Sequence, residues 1–267
     1  MGQWVKSAVE DRAGGRVATL AIDNPKQLNA LTSAAILELT EALRALAKDA
    51  KLRAVVLTGT GSKAFSGGVN VNDLGSTTEK TAREGITRLH QCITAARECP
   101  VPVIARINGY CIGGALELVA ACDLRIAADH ARFGMPEVRL GIPSVIEAAL
   151  LPRLMGAGRA RWLLLTGELI DAQEALRWGL VERIAPIAGL DTEVDRALEG
   201  ILAGGAEAIR AQKRLNRAYE ELPFAEAVAL SIDEFERAYA TGEPQRLMRD
   251  YLERRRAPSL TKRSEEK

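Results

Sequence analysis

Apolar positions in the first half of the chain recur with two different periods. Ile36, Leu39, Leu43 and Leu46 recur at spacings of three and four, which predicts an amphipathic helix. Short apolar runs bounded by Asp, Asn, Gly or Pro predict buried strands instead. The predicted strands cover 17–22, 54–58, 101–107 and 124–127, and the predicted helices cover 33–48, 81–98 and 114–122. Strands that alternate with helices favour parallel pairing, so the sequence predicts an α/β fold.

The pattern changes near residue 148, and beyond it the chain is predicted to be mostly helical. Asp171 and Glu174 stand at the spacing of a capping box, which predicts the start of a helix. We therefore predict a core over residues 1–190, a helical C-terminal region over 191–257 and a disordered tail over 258–267.

Charge and composition exclude several kinds of protein. The chain has 36 Lys and Arg against 35 Asp and Glu, a net charge of +1, and 47% hydrophobic residues. This balance provides no general attraction to nucleic acid or to a membrane surface, so we expect neither as a partner. No apolar run reaches 18 residues and the start lacks the pattern of a secretory leader, so we expect a cytoplasmic protein.

Metal and redox motifs are absent from the sequence. The four cysteines form no Cys-x-x-Cys pair, and in a cytosol we expect reduced thiols. His90 and His130 are the only histidines, and no EF-hand pattern is present. We therefore expect no metal site.

Two glycine-rich turns, at residues 66–70 and 109–114, follow predicted parallel strands. Glycine lets a ligand approach the backbone closely. Gly113 and Gly114 also precede a predicted helix, whose first N–H groups lack intrahelical partners. Two such amides converging on one point would hold a developing oxyanion. Tight turns packed against a sheet would show the same pattern, so the turns alone leave both interpretations open.

Glu117 is the only polar residue of the segment 114–122. A carboxylate buried without partners costs on the order of several kcal/mol. Its helical neighbours at three and four residues are all glycine or alanine, which leaves room for a ligand. The alternative is a buried ion pair with Arg106 or Arg125. An unpaired buried acid would have a raised pKa, which suits proton transfer near neutral pH.

Glu137 and Glu147 are two further candidate acids. Glu137 lies between Pro136 and Pro143 and, taken alone, is more typical of a surface glutamate. Glu147 lies in an apolar stretch and forms a Ser-x-x-Glu pattern with Ser144. That pattern predicts a capping box, with Glu147 in the first turn of a helix.

Three common catalytic or nucleotide-binding motifs do not fit. Residues 59–64 match G-x-G-x-x-A, but the segment that follows is a poor helix former, which argues against dinucleotide binding. The absence of a Gly-Lys dipeptide excludes a P-loop. Ser66 has Ala64 where the nucleophile elbow of a serine hydrolase needs glycine, and neither histidine lies in a suggestive position.

Taken together, the motifs resemble those of the enoyl-CoA hydratase/isomerase family within the crotonase superfamily. The resemblance covers about residues 15–257, and several motifs in a fixed order make it specific. The motifs lie at residues 24–31, 54–59, 64–70, 102–118, 121–126, 133–143, 165–168 and 179–181.

The resemblance implies a crotonase-like spiral of ββα turns with a helical C-terminal region that trimerises, often into a dimer of trimers. It implies an acyl-CoA thioester as ligand and no other cofactor. The backbone N–H groups of Val69 and Gly114 would form the oxyanion hole. Glu117 would activate water and Glu137 would exchange the proton at C2, a pair that favours hydration of a 2,3-enoyl-CoA. Further substrate-binding positions implied are Lys26, Leu28, Ala64, Gly68, Asn70, Val71, Gly113, Pro136 and Ser144.

The chain departs from the family pattern at two places that concern the substrate. The usual Gly-Ala-Asp is here Gly68-Val69-Asn70, which replaces a carboxylate by an amide. The usual small residues after Gly-Ile-Pro are replaced by 144–149, which adds Glu147. If Glu147 does not cap a helix, it would face the acyl pocket and disfavour a charged or long apolar tail.

Two other functions stay open on this scaffold. An isomerase, or another enolate chemistry, would need only Glu137 to move a proton between C2 and C4. A non-catalytic crotonase-like binding protein is the third hypothesis, against which both acids and the intact glycine turns argue.

Overall fold

Two sheets lie within residues 3–256, the part of the chain that this computed structural model describes. The strands are β1 (Val5–Arg12), β2 (Gly15–Ile22), β3 (Leu52–Gly59), β4 (Ala64–Ser66), β5 (Val103–Ile107), β6 (Tyr110–Ile112), β7 (Leu124–Ala128), β8 (Arg132–Gly134), β9 (Leu169–Asp171) and β10 (Arg183–Ala185). The larger sheet has the order β1-β2-β3-β5-β7-β10 and is parallel except for β1. The smaller sheet has the order β4-β6-β8-β9, with only β9 antiparallel.

Helices follow the strands and then make up most of the second half of the chain. They are α1 (Ser33–Leu46), α2 (Val71–Gly75), α3 (Glu79–Arg97), α4 (Gly114–Ala120), α5 (Leu151–Met155), α6 (Ala157–Thr166), α7 (Ala172–Trp178), α8 (Leu190–Ala203), α9 (Ala206–Glu221), α10 (Phe224–Ala240) and α11 (Glu243–Arg256). Short 3₁₀ helices lie at Pro25–Gln27, Pro136–Leu140, Ile146–Leu150 and Ile187–Gly189.

Three successive units each place one strand in each sheet. β3 and β4 precede α2 and α3, β5 and β6 precede α4, and β7 and β8 precede the 3₁₀ helix Pro136–Leu140. This repetition is a spiral of ββα turns, and it confirms the predicted fold. The loops at the ends of β4, β6 and β8 therefore meet at one edge of the smaller sheet.

The larger sheet is buried on both faces, as expected for parallel strands. Successive side chains of a strand point to opposite faces. Val55 and Leu57 of β3 belong to the main core, which α1 and α3 share, whereas Val56 belongs to a second core with α8. Leu190 and Val194 are among the α8 residues buried there.

The chain divides into two compact units at Leu202/Ala203. The predicted boundary was 190/191, but α8 packs its apolar face on the sheet, so most of that helix lies in the first unit. The second unit contains α9, α10 and α11. Phe224, Ile232 and Phe235 on α10 are exposed in the single chain. The predicted tail, 258–267, lies outside the described residues.

The predicted helices and strands of the first half all exist, and Asp171 caps α7 by accepting the N–H of Glu174 at 2.8 Å. β1 and the smaller sheet were not predicted from the pattern of the sequence. Strands of three residues are too short to show a period, and β1 is largely exposed. β9 and β10 likewise interrupt the region predicted to be helical. No helix within residues 3–256 combines the length and apolarity that crossing a membrane requires.

Candidate active site

Two buried asparagines hydrogen-bond to the segment 59–64, which precedes the 66–70 glycine turn. The Asn108 side chain donates to the carbonyl oxygen of Gly59 at 2.9 Å, and the Asn29 side chain donates to that of Ala64 at 2.8 Å. Both side chains are buried. Sequence analysis singled out neither residue, although both lie within the motifs that carry the family resemblance.

The two glycine turns contact each other through their backbones. Gly68 has a φ of +91° and Gly113 a φ of +57°, in the region that favours glycine. A Cβ on Gly68 would lie 2.6 Å from the carbonyl oxygen of Ile112. Only glycine at position 68 therefore allows the 66–70 turn to approach the 109–114 turn this closely.

Two backbone N–H groups at this contact are left without an acceptor in the described part of the chain. Leu31 bridges to this turn by donating to Gly68 and accepting from Asn70, which leaves the N–H of Val69 unused. Gly114 is the first residue of α4, and its N–H has no intrahelical acceptor. A Cβ on Gly114 would lie 3.2 Å from Cγ2 of Val69, so the two residues are direct neighbours. Their geometry fits a pair of donors for one anionic oxygen.

Glu117 lies on α4, one turn after Gly114, and is 3% exposed. Its Oε1 accepts the N–H of Ala148 at 3.3 Å. Burial, and then the nearby carboxyl groups of Glu137 and Glu147, raise the pKa of Glu117 to about 8. Glu117 is therefore mostly protonated near neutral pH in the unliganded protein.

The ion-pair explanation for Glu117 is wrong. Arg125 pairs with Glu182, and Arg106 pairs with Asp191. Both arginines lie on strands of the larger sheet, β7 and β5. Glu117 is held by backbone N–H groups instead.

Glu137 lies in the 3₁₀ helix Pro136–Leu140, on the other side of the glycine turn. The Ser144 hydroxyl donates to its Oε2 at 2.9 Å. A Cβ on Gly113 would lie only 2.3 Å from Oε1 of Glu137, and one on Gly114 would lie 3.9 Å from Oε2 of Glu117. The absence of a side chain at Gly113 therefore lets the carboxyl group of Glu137 approach the 109–114 turn, and the carboxyl group of Glu117 lies within van der Waals distance of the same turn.

A cavity of about 150 Å³ opens onto these groups. Most of the predicted site residues line it, namely Gly68, Val69, Val71, Gly113, Gly114, Glu117, Pro136, Glu137 and Ser144. Sequence analysis missed the apolar side chains that complete the wall, which are Leu74, Ile86, Leu89, Leu140, Ile142 and Val145. Ile86 and Leu89 lie on α3, and no local sequence pattern indicates that this helix packs against the site.

Four predicted substrate-binding residues lie outside this cavity. Lys26, Leu28 and Ala64 line a second cavity of about 360 Å³, to which Lys63 also contributes. Asn70 caps α2, because its Oδ1 accepts the N–H of Asn72 at 2.9 Å.

The predicted capping box at Ser144 and Glu147 is wrong. Val145 is extended and Ile146 has a φ of +42°, so the 3₁₀ helix begins only at Ile146. The Ser144 hydroxyl donates its hydrogen bond to Glu137 and caps no helix. Glu147 is buried but does not line the cavity, and its Oε1 lies 2.6 Å from Nδ1 of His90 on α3. This contact of His90 was not predicted, because the sequence showed only that His90 lies on an amphipathic helix.

Within residues 3–256, no three His, Cys, Asp or Glu side chains are grouped closely enough to hold a metal ion. The polar groups that face the cavity include the two backbone donors and the carboxyl groups of Glu117 and Glu137. Such a set can stabilise an enolate oxygen and transfer protons beside it.

Comparisons of sequence and of structure relate this chain to known proteins. The sequence model described as Enoyl-CoA hydratase/isomerase matches residues 12–261. A crotonyl-CoA hydratase of Syntrophomonas wolfei is 35% identical over 92% of this chain and 95% of its own length. A short-chain-enoyl-CoA hydratase of Clostridium acetobutylicum is 31% identical over 91% of this chain and 93% of its own. The crystal structure of an enoyl-CoA hydratase from Bacillus anthracis superimposes with a TM-score of 0.88 at 31% identity, covering 94% of this chain and 97% of that one.

Proposed function

The chain belongs to the enoyl-CoA hydratase/isomerase family, and from this premise we propose how its residues hydrate an enoyl-CoA. It is an enoyl-CoA hydratase, a hydro-lyase that adds water across the 2,3 double bond of the thioester. One observation carries the proposed mechanism: the carboxyl groups of Glu117 and Glu137 both lie against the turn that ends at Gly114, beside two unused backbone donors.

The thioester oxygen accepts hydrogen bonds from the N–H groups of Val69 and Gly114. Water adds to C3, and negative charge develops on this oxygen as the enolate forms. Donors fixed by the backbone stabilise that charge without reorganising, and losing one such donor typically costs about 3–4 kcal/mol. The parallel bridge between Leu31 and Val69 holds the first donor in position.

Glu117 and Glu137 transfer the two protons. Glu117 accepts a proton from water as the oxygen attacks C3, and Glu137 donates a proton to C2 of the enolate. The pair therefore carries one proton in its active form. In the unliganded site that proton rests on Glu117, because burial raises the pKa of Glu117 to about 8. It passes to Glu137 through the bound water before attack.

The size of the cavity supports a short acyl chain. The cavity lined by Leu140, Ile142 and Val145 has a volume of about 150 Å³, which is small compared with the roughly 300–1,000 Å³ of typical ligand pockets. The printed name of one relative specifies crotonyl-CoA, and that of another specifies short-chain enoyl-CoA. We assign a four- to six-carbon enoyl-CoA to this chain. A panel of enoyl-CoA thioesters from 4 to 10 carbons tests this, with kcat/KM expected to fall as the chain lengthens.

Lys26 and Lys63 at the second cavity supply positive charge for the phosphates of CoA. No further cofactor takes part in the mechanism. The exposed apolar face of α10 supports a homotrimer or a dimer of trimers, since Phe224 and Phe235 would be covered by a second copy. The cysteines are all buried thiols, which supports a cytoplasmic location.

The test follows crotonyl-CoA through loss of the absorbance of the conjugated thioester. We expect turnover by the unaltered protein and a loss of about 10³-fold in kcat for both Glu117→Gln and Glu137→Gln. Unchanged turnover in both variants would contradict the roles of the two acids. A 3-enoyl-CoA serves as a second substrate, and its conjugation without hydration would favour the isomerase.

A further inference from the structure

The His90–Glu147 pair takes no part in the proposed mechanism, but it is connected to Glu117 through the backbone of the short helix that contains Glu147. Nδ1 of His90 lies 2.6 Å from Oε1 of Glu147. The pair joins α3 to the 3₁₀ helix Ile146–Leu150, and the next residue of that helix, Ala148, donates its N–H to Glu117. One side of the pair faces solvent, since His90 is 50% exposed and Glu147 only 11%.

The segment before Ala148 does not hold its conformation by local preference. Ile146 is β-branched and has a φ of +42°. A residue of this kind is strained in the left-handed region and persists there only where surrounding contacts impose it. The contact from Glu147 to α3 is one such restraint, because it fixes the residue that follows Ile146.

Glu147 also places charge beside the active carboxyl group. Its Oε2 is buried without a hydrogen-bond partner among residues 3–256. Burial is the main cause of the raised pKa of Glu117, followed by the charge of Glu137 and then the charge of Glu147. A buried carboxylate oxygen without a hydrogen-bond partner is energetically costly.

We propose that His90 and Glu147 are positioning residues for Glu117, holding the amide of Ala148 against its carboxyl group and placing a negative charge beside it. The inference rests on the proposed role of Glu117 in proton transfer. Neither residue of the pair lines the cavity, so both act through Glu117.

The other charged groups around the pair are few. On α4 the only one is Glu117, and on α5 Arg153 is exposed. The half-exposed side of His90 opens to a surface groove between α1 and α3 that includes Arg44, Lys48 and Glu98. Glu137 is the remaining acid of the cavity. Glu147 is buried and directly precedes Ala148 in the sequence, so its charge lies beside that backbone.

Glu147→Gln tests the charge and keeps an oxygen that can accept from His90. The active form of the acid pair loses its single proton near pH 8, so kcat/KM falls above that pH. With the charge of Glu147 removed, Glu117 releases its proton more easily, and the basic limb moves down by about one pH unit. The matched control is Glu84→Gln, an exposed residue of α3 paired with Arg88, which should leave the profile unchanged.

His90→Ala and His90→Asn test the anchor. Alanine removes the donor, and we expect kcat/KM for crotonyl-CoA to fall about tenfold as the turn relaxes. Asparagine restores an N–H near the position of Nδ1 and should restore most of the activity.

Two results would overturn the inference. One is a folded Glu147→Gln protein whose basic limb coincides with that of the unaltered protein. The other, which applies even if Glu147→Gln fails to fold, is equal kcat/KM for His90→Ala, His90→Asn and the unaltered protein. Failure of the proposed function looks different: the basic limb would then persist in the residual activity of Glu117→Gln.

Discussion

Replacing Glu117 with glutamine should stabilise the protein increasingly as the pH rises. The folded protein holds the Glu117 proton up to about pH 8, whereas an unfolded chain releases it near the ordinary value of 4.5. Between these two pH values the folded state binds more protons than the unfolded state, so its stability falls as the pH rises. Glutamine has no proton to lose and escapes this effect, while its oxygen still accepts the N–H of Ala148.

The magnitude follows from the pKa of Glu117. Each pH unit between 4.5 and 8 is worth about 1.4 kcal/mol. The variant should match the unaltered protein near pH 4.5, exceed it by about 3 kcal/mol at pH 7, and exceed it by about 5 kcal/mol above pH 8. These figures are large against the 5–15 kcal/mol typical of whole domains.

Urea unfolding at a series of pH values measures this difference. Protein concentration is kept constant across the series, since subunit association would contribute to apparent stability. Glu84→Gln, at an exposed position of α3, serves as the control and should show a difference near zero at every pH. A difference between Glu117→Gln and the unaltered protein that does not change from pH 5 to pH 9 would refute the reasoning.

Three further substitutions test the geometry of the site. Gly113→Ala places a Cβ 2.3 Å from Glu137 in a backbone conformation that favours glycine, so kcat/KM for crotonyl-CoA should fall at least ~100-fold, whereas Gly200→Ala on α8, where a Cβ meets nothing, should retain activity. Val145→Ala shortens a side chain of the cavity wall, which enlarges the cavity, and should raise kcat/KM for an eight-carbon enoyl-CoA about tenfold relative to crotonyl-CoA. The control Val9→Ala, at an exposed position of β1, should show no such change. Asn108→Ala removes two hydrogen bonds to loop carbonyl groups and should lower the free energy of unfolding by about 2–4 kcal/mol in urea titrations; a loss below ~1 kcal/mol would contradict its role.

The larger sheet and its helices could be predicted because their signals are local. A helix such as α1 repeats its apolar residues over several turns, and β3 contains the unbroken apolar run 54–57. The smaller sheet could not be predicted in this way. β4 and β6 have three residues each, and their pairing depends on the ββα repetition rather than on any pattern inside them.

Within the site, Glu117 was predictable because an acid in a wholly apolar segment needs an explanation. Its partner Glu137 was not, since its own surroundings are typical of the surface, and the family resemblance had to supply it. Its position depends on Gly113, which belongs to a different strand–helix unit. The burial of Glu117 can thus be predicted from its local sequence, whereas the approach of Glu137 depends on tertiary structure.

Glu147 shows how a correct local pattern can give a wrong structure. The Ser-x-x-Glu spacing is that of a capping box, but Ser144 donates to Glu137 and Glu147 contacts His90 instead. Neither contact belongs to a capping box, and the φ of +42° at Ile146 prevents the helix from starting at Ser144. Tertiary contacts here override the preference of the segment.

The central claim is that Glu117 and Glu137 act as one unit on a single water molecule beside the N–H groups of Val69 and Gly114. The most direct measurement is kcat for crotonyl-CoA hydration in Glu117→Gln, in Glu137→Gln and in the double variant. Residues that act as a unit are strongly non-additive. We predict that each single variant loses about 10³-fold and that the double variant loses less than ~10-fold more. A double variant that loses the product of the two single effects, about 10⁶-fold, would contradict the account.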